Sequence, residues 1–459
     1  MTLDGRLGDV RDAALVEARL AAAMHAPERA AVVRRTLEIC AAALGSMGAS
    51  RDDPACALTV PGRIEVLGKH TDYAGGRSIL AAPERGVTML AVPRGDALVR
   101  VHDVACGESV ELALDPELAP GGGWANYPTT AVRRLARNFP DARTGADIAF
   151  VSDLPIAAGM SSSSAFLVAV FQALAAINGL EATDRWRANI ATREELAEYL
   201  SSVENGRDFG ELRGRLGVGT RGGSEDHTAM LCARPGSLVR YGFAPVRFEL
   251  GIPMPEGHRF AIASSGVRAE KAGAARERYN RAAGLMSAAA ELWRGATGRG
   301  DATVGAALDA VPGAADRLRA ILAASRDGRY APEELVARAE QFVAEEREII
   351  PAASDALLCV DLARFGALVD RSQELAERLL GNQIAETVQL ARSARELGAP
   401  AASAFGAGFG GSVWALVADG EADDFVERWR AGYLARFPEH GGDAQFFTTR
   451  AGPPLARVI

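Results

Sequence analysis

Pro61-Gly-Arg-Ile-Glu-Val-Leu-Gly-Lys-His-Thr-Asp-Tyr-Ala-Gly-Gly76 is the stretch from which the rest of the chain is read. Apolar runs at 57–60 and 78–82 lead into it and out of it, so it reads as strand, turn, strand. Inside that apolar frame lie Arg63, the cluster Lys69-His-Thr-Asp72 and a Gly-Gly pair. Gly68, Gly75 and Gly76 permit tight turns with positive φ and close approach of a ligand. Two readings stand at this point: a pocket wall carrying polar groups, or a polar hairpin whose charges are solvated.

The stretch belongs to a chain of 459 residues, long enough for two or three domains. A net charge of −8 argues against nucleic acid as the main partner, because phosphate backbones require a basic face. The five cysteines (Cys40, Cys56, Cys106, Cys232 and Cys359) are odd in number and widely spaced, without a Cys-x-x-Cys pair. They predict neither a disulfide framework nor a zinc site, and they fit a reducing cytoplasm. The N-terminus lacks a basic segment followed by an apolar core, so no signal peptide is expected. The longest apolar stretch follows Ser164, but Gln172 and Asn178 interrupt it. It reads as a buried helix rather than a membrane span.

Residues 1–56 are rich in Ala, Arg and Glu and predict two helices, near 10–24 and 27–47. The second carries Val33, Leu37, Cys40 and Leu44 at helical spacing, and the segment reads as an N-terminal extension packing on the first domain. Short strands are expected at 87–92 and 98–104. Gly121-Gly-Gly-Trp-Ala-Asn-Tyr127 then opens a helix through Arg137, where Trp124 either stacks on an adenine ring or anchors the helix start.

Leu154-Pro-Ile-Ala-Ala-Gly-Met-Ser-Ser-Ser-Ser-Ala165 joins a strand at 146–151 to an apolar helix at 166–177. A small-residue loop opening a helix is an anion site, because free backbone N–H groups and the positive helix end point at the ligand. Gly159, Met160, Ser161, Ser162, Ser163 and Ser164 are the candidates here. The Gly-Lys-Ser/Thr of a Walker A loop is absent, and a serine-rich cap without ligand is the alternative. A helix over 193–213 is expected to carry Glu204 and Glu211. It leads to Gly217-Val-Gly-Thr-Arg-Gly-Gly-Ser-Glu-Asp-His-Thr-Ala-Met230, where Asp226 is a base or a helix cap. Next come a strand at 260–264, Ser265-Gly-Val-Arg268 and a long helix through Tyr279. Residues 282–398 read as mostly helical, with breaks near 298–300 and Pro351. Ser403-Ala-Phe-Gly-Ala-Gly-Phe-Gly-Gly-Ser-Val-Trp-Ala-Leu-Val417 is a glycine-dense turn feeding a buried strand, its backbone able to approach phosphate or another loop. There is no internal repeat and no low-complexity linker.

Taken in order, these stretches resemble the three motifs of the GHMP small-molecule kinases, and their galactokinase branch most closely. The first resembles Gly-Arg-Val-Asn-Leu-Ile-Gly-Glu-His-Thr-Asp-Tyr-Asn-Gly-Gly, with Glu65 in place of Asn and Lys69 in place of Glu. The second resembles Pro-x-Gly-x-Gly-Leu-Ser-Ser-Ser-Ala, with Ala157 at the first Gly. Gly223–His227 is similar to Gly-Ile-Met-Asp-Gln or Gly-Ser-Gln-Asp-Gln, with His227 at the final Gln. The third is nearly Gly-Ala-Gly-Phe-Gly-Gly, with Ser403 where an Arg often precedes it. Trp124-Ala-Asn-Tyr127, Ser265-Gly-Val-Arg268 and Tyr279-Asn-Arg281 match intervening segments, and the resemblance covers residues 57–459. Val203-Glu-Asn205 resembles the segment with the magnesium-binding Glu. The spacer to Asp226 is about ten residues longer than usual, which keeps Glu211 as a substitute.

The resemblance implies an α+β, two-domain GHMP kinase fold, where periodicity alone indicates only mixed α and β. The N-terminal domain (57–250) would resemble ribosomal protein S5 domain 2. The C-terminal domain (251–459) would be ferredoxin-like with helical insertions, and the site would lie between them. It implies phosphoryl transfer from ATP to a monosaccharide, at the anomeric hydroxyl, with sugar and ATP as small-molecule partners; neither nucleic acid nor a membrane is expected as a partner, and the oligomeric state is left open. Asp226 would take the proton, with Arg63 keeping it ionised and polarising the hydroxyl or γ-phosphate. Ser163 and Glu204 would hold Mg²⁺. Trp124, Gly159, Met160, Ser161, Ser162, Ser164, Gly408 and Gly410 would bind ATP, and His70, Asp72, Gly223 and Tyr279 the sugar.

Lys69 has donors only and cannot repeat the family Glu's contact with a sugar hydroxyl. It points to an acidic or otherwise modified sugar, or pairs with Glu65 while galactose still binds. Two other functions are carried alongside. A sugar- and ATP-sensing regulator would explain His227, Ala157 and Ser403, although Arg63 and Asp226 are both present. A kinase for a non-sugar alcohol such as mevalonate or homoserine is the other, although the His-Thr-Asp-Tyr segment with Tyr279 favours a sugar.

Overall fold

The run at 57–60 is the middle of the strand Pro54–Pro61. Its Cys56, Leu58 and Val60 enter one hydrophobic core while Ala55 and Ala57 enter another. Side chains alternate across a strand, so burial on both faces makes this an interior strand. The structure is a computed structural model that describes residue 3, residues 5–268 and residues 273–459.

Three sheets organise an α+β architecture. The first has seven strands in the order Gly5–Arg6, Pro54–Pro61, Gly86–Pro93, Ala146–Ser152, Leu98–Asp103, Glu108–Ala113, with Ala456–Arg457 also paired to Pro54–Pro61. All its pairings are antiparallel except Leu98–Asp103 with Ala146–Ser152. The helices Ala13–Ala22 and Pro27–Ser46 cover one face, where Val33, Leu37, Cys40 and Leu44 meet Leu90 and Val92. The apolar helix Ser162–Ile177 lies in the core on the other.

The second sheet is antiparallel, in the order Arg247–Pro253, Ser237–Gly242, Arg77–Ala81, Ile64–Leu67, so the hairpin of the opening stretch forms its edge. A register shift between Glu65 and Leu67 marks a bulge at that edge. Bulges re-aim the side chains that follow them. The third sheet, Ala401–Phe405, Ser412–Ala418, His258–Ser264, Gln445–Thr449, is also antiparallel. The helices Ala385–Glu396 and Ala422–Arg436 pack on it.

Three expectations change. The helix expected over 193–213 is Arg193–Asn205. It stops because Gly206 takes the left-handed conformation (φ +72°) that ends helices. Glu211 therefore lies exposed in the loop beyond, away from Glu204. Tyr279 sits in the second turn of Gly273–Thr297 rather than at a helix end, and residues 269–272 before it lie outside the described residues. Pro351 breaks nothing: Pro332–Ala344 runs through a π-helical turn, Glu345–Ile349, into Ile350–Leu358. The wider turn accommodates a proline that cannot close an α-helical bond. It also turns Glu345 and Glu346 inward, both fully or nearly fully buried, toward the opening hairpin.

Candidate active site

The three glycine-rich stretches meet. Arg63, just past Pro54–Pro61, donates from Nη1 to the Gly159 carbonyl at 2.6 Å, and its backbone N–H reaches the Met160 carbonyl at 3.1 Å. Ser412, opening the strand after the third stretch, donates to the Ala158 carbonyl at 2.6 Å. A Cβ on Gly406 would come within 2.7 Å of the Gly159 oxygen, so only glycine permits this approach. Ala157 holds the left-handed backbone (φ +52°) natural to the glycine expected there. Ser161, at φ +57°, turns the loop into the helix Ser162–Ile177.

The guanidinium that touches Gly159 also holds Asp226. Nε donates to Asp226 Oδ1 at 2.7 Å and Nη2 lies 2.5 Å from the same oxygen, while Glu225 Oε1 is 3.3 Å from Nε. Burial works against the Arg63 charge, but Asp226, Glu225 and Glu65 outweigh it and hold the guanidinium above its ordinary value. Asp226 reaches this position on the first turn of the short helix Glu225–Cys232.

Around this pair is a cleft lined by Arg63, Glu65, Asp72, Glu204, Asp226 and Tyr279, among others. Asp72 accepts from the Tyr73 N–H at 2.8 Å and the Glu225 N–H at 3.2 Å. A Cβ on Gly223 would lie 2.3 Å from Asp72 Oδ2, which explains the glycine. Asn205, at the helix end, accepts from the Gly222 N–H at 2.7 Å, and Asn280 accepts from the Arg221 N–H at 2.9 Å, so the loop is fixed from two sides. His70 lines the cleft with its ring, 5.2 Å from that of Tyr279. Its Nε2 donates to the Ala407 carbonyl at 3.1 Å and its Nδ1 accepts from the Tyr73 hydroxyl at 2.9 Å. Burial, with Arg338 nearby, lowers its pKa to about 3, so the ring is neutral and both nitrogens are engaged within the protein.

Lys69 is not in this wall. Its side chain is 1% exposed and turns away from the cleft, where Nζ donates to Ser403 Oγ at 2.6 Å and Ser372 Oγ at 3.1 Å. Ser372 in turn donates to Glu345, the leading opposite charge on Lys69. Burial lowers the Lys69 pKa against those carboxylates. The expected contact between Lys69 and a substrate acid is thus replaced by a buried link between the first stretch, the π-turn and Ser403. The bulge beside Glu65 and the inward π-turn set this direction, and neither is legible in the local pattern.

A model of the GHMP kinases N terminal domain matches residues 126–208, one of the galactokinase galactose-binding signature matches 47–93, and one of the GHMP kinases C terminal matches 354–434. The galactokinase of Chloroflexus aggregans is 30% identical over 386 residues, covering 82% of this chain and 87% of that one. The chain belongs to the galactokinase family of the GHMP kinases. The galactokinase of a Roseiflexus species is 27% identical, over 88% of this chain and 94% of its own length. A galactokinase from Lactococcus lactis solved with galactose shares the fold with a TM-score of 0.71 at 24% identity, covering 90% of this chain and 99% of that one. The mevalonate kinase of Methanococcus jannaschii is more distant, with a TM-score of 0.53 at 16% identity over 86% and 98% of the two chains.

The chain therefore has the GHMP two-domain fold and is a kinase that phosphorylates a sugar with ATP; the sensor and the non-sugar kinase are not favoured. Other residues singled out in this GHMP kinase are placed as follows. Trp124 is partly buried, its ring 6.2 and 6.0 Å from those of Phe150 and Phe166, and its Nε1 donates to Glu108 at 2.7 Å. Met160 and Ser164 have buried side chains, while Ser162 and Ser163 are part-exposed on the first turn of their helix. A Cβ on Gly408 would lie 2.3 Å from the Asn382 carbonyl, which also accepts from the Phe409 N–H at 2.6 Å, and Gly410 has φ +135°. Glu204 lines the cleft with His227 Nε2 3.2 Å from its Oε2. Glu225, Asn205, Arg338 and Glu345 went unremarked as site residues. For Glu225 the adjacency to Asp226 was the available signal; the other three act through contacts distant in sequence.

Proposed function

We propose that this sugar kinase binds its acceptor in the Arg63–Asp226 cleft and phosphorylates the anomeric hydroxyl, with galactose or a close relative as substrate. The observation that carries the reading is the shared guanidinium: one Arg63 side chain holds Asp226 and the backbone of the phosphate-loop candidate at Gly159. Base and phosphate are then positioned by one rigid group, as phosphoryl transfer requires.

Asp226 accepts the sugar hydroxyl proton as the sugar oxygen attacks the γ-phosphorus and the bond to ADP breaks. Arg63 faces the charge that spreads over the transferring oxygens. The backbone N–H groups of Gly159, Met160, Ser161 and Ser162 cradle the phosphates at the helix N-terminus, with Gly408 and Gly410 keeping the third loop close. Trp124 borders the base. Asp72 and Tyr279 meet sugar hydroxyls, Gly223 leaves Asp72 its space, and the His70 ring forms the floor. Ser163 and Glu204 present oxygen ligands only, a donor set that suits Mg²⁺ completed by phosphate oxygens. The ion supplies positive charge to the phosphates when bound. The division at 57–250 and 251–459 places the cleft between the two halves, with 1–56 an addition to the first.

Support for galactose comes from the relatives' names and from the sugar held by the Lactococcus lactis structure. The test is ADP release with galactose, ATP and Mg²⁺, with the product's phosphate located by NMR. Phosphate on the anomeric carbon is expected. Phosphate on another carbon, or no ADP release with galactose or any related hexose, would overturn the reading.

A further inference from the structure

The cleft has an unusual charge balance. Among its described lining residues are five carboxyl side chains, Glu65, Asp72, Glu204, Glu225 and Asp226, and one guanidinium, Arg63. Asp226 is bound to Arg63, Glu204 faces His227, and Asp72 takes two backbone N–H groups. Glu225 shares Arg63 at 3.3 Å and accepts from Ser78 Oγ at 2.7 Å. Glu65 is different. It is 3% exposed, its carboxyl lies in hydrogen-bond contact with that of Glu225, and no donor among the described residues reaches its Oε1. The cations near it are shared: Arg63 also serves Asp226 and Glu225, and Lys69 donates to Ser372 and Ser403, while the neutral His70 ring is engaged by Ala407 and Tyr73.

Burial raises both of these buried carboxyls, against the nearby Arg63. A buried acceptor without a donor is costly unless a ligand supplies one. Glu65 and Glu225 stand where the family motifs carry Asn and Met or Gln, so this acid pair, with one Glu65 oxygen lacking a donor among the described residues, belongs to this chain's own departures.

We propose that Glu65 determines sugar specificity and that the sugar it selects carries a protonated amino group where a plain hexose carries a hydroxyl. The inference rests on the sugar-kinase reading of the cleft. An ammonium brings three donors and a positive charge to the pair; a hydroxyl brings one donor and no charge; a uronate brings acceptors and like charge. The acid-sugar expectation attached to Lys69 is thereby reversed.

The test measures kcat/KM for D-galactosamine, D-galactose and D-galacturonate with ATP and Mg²⁺, and Kd for the same sugars by calorimetry without ATP. Wild type is compared with Glu65→Gln, which keeps the shape and removes the charge. Glu65→Asn is the second variant, and melting curves verify that both fold. Wild type is expected to favour galactosamine over galactose by about tenfold or more and to disfavour galacturonate by at least as much. Glu65→Gln is expected to bring the galactosamine-to-galactose ratio to about one in kcat/KM and in Kd. A wild-type ratio at or below one, the same ratio in a folded variant, or galacturonate turned over as well as galactose would overturn the proposal. Failure of all three sugars to turn over would overturn the kinase reading and the proposal with it. Turnover with an unchanged ratio would sink the proposal alone.

Discussion

Replacing Lys69 by Met keeps the unbranched side chain out to Cε and removes its ammonium. The two hydroxyls it serves, Ser403 at 2.6 Å and Ser372 at 3.1 Å, keep other partners, since Ser403 also donates to Gln373 and Ser372 to Glu345. Glu345 does not fare as well. It is 0% exposed and loses its leading counter-charge. Removing one partner of a buried pair costs roughly 3–5 kcal/mol. Protonation of Glu345, whose pKa burial already raises, and the nearby Arg338 bring the expected loss to about 2–3 kcal/mol. At roughly 2 °C per kcal/mol for a domain of this size, the melting temperature falls by about 4–6 °C. The assay is a melting curve combined with turnover on galactose and galacturonate. The stability loss is expected with no change in the ratio of the two sugars. An unchanged melting temperature with a changed ratio would refute the placement of Lys69 outside the sugar wall.

His70 titrates at about 3 in the folded chain against 6.5 for the free side chain. Between those values the unfolded chain binds a proton that the folded chain does not. Its stabilising contribution is therefore complete above pH 6.5 and lost as pH falls, by about 1.4 kcal/mol per unit. His70→Gln is expected to flatten the decline of stability with falling pH in that window, and an equal slope would count against it. Gly223→Ala places a Cβ 2.3 Å from Asp72 Oδ2, a clash expected to cost about 1–3 kcal/mol and to raise the sugar KM, read by melting and steady-state kinetics. Unchanged KM and melting would show that the loop has room.

The fold was legible where chemistry is local. A continuous apolar run announces Pro54–Pro61, and the small-residue loop before Ser162–Ile177 announces a helix N-terminus. The three glycine stretches named the site because close backbone approach, as at Gly406 and Gly159, tolerates no other residue. What escaped was set at a distance. Lys69 sits in the motif that lines the cleft, yet the bulge beside Glu65 and a π-turn some 275 residues later direct it to Glu345. Helix 193–213 was overextended because its glutamates continue a plausible helical run, whereas the left-handed Gly206 ends it. Pro351 looked like a break because a proline is usually absorbed by ending a helix rather than by widening one turn. The acid pair of Glu65 and Glu225 joins residues 160 positions apart, each unremarkable alone.

The central claim is that Asp226, held by Arg63 against the phosphate loop, accepts the acceptor's proton. Asp226→Asn tests it most directly, because the amide keeps the size and an oxygen for Arg63. Turnover of the preferred sugar is measured with ATP and Mg²⁺, beside ATP affinity for the same preparation. The account predicts kcat at least about 10²-fold below wild type with ATP affinity retained. Turnover within a few-fold of wild type, in a folded variant, would contradict it.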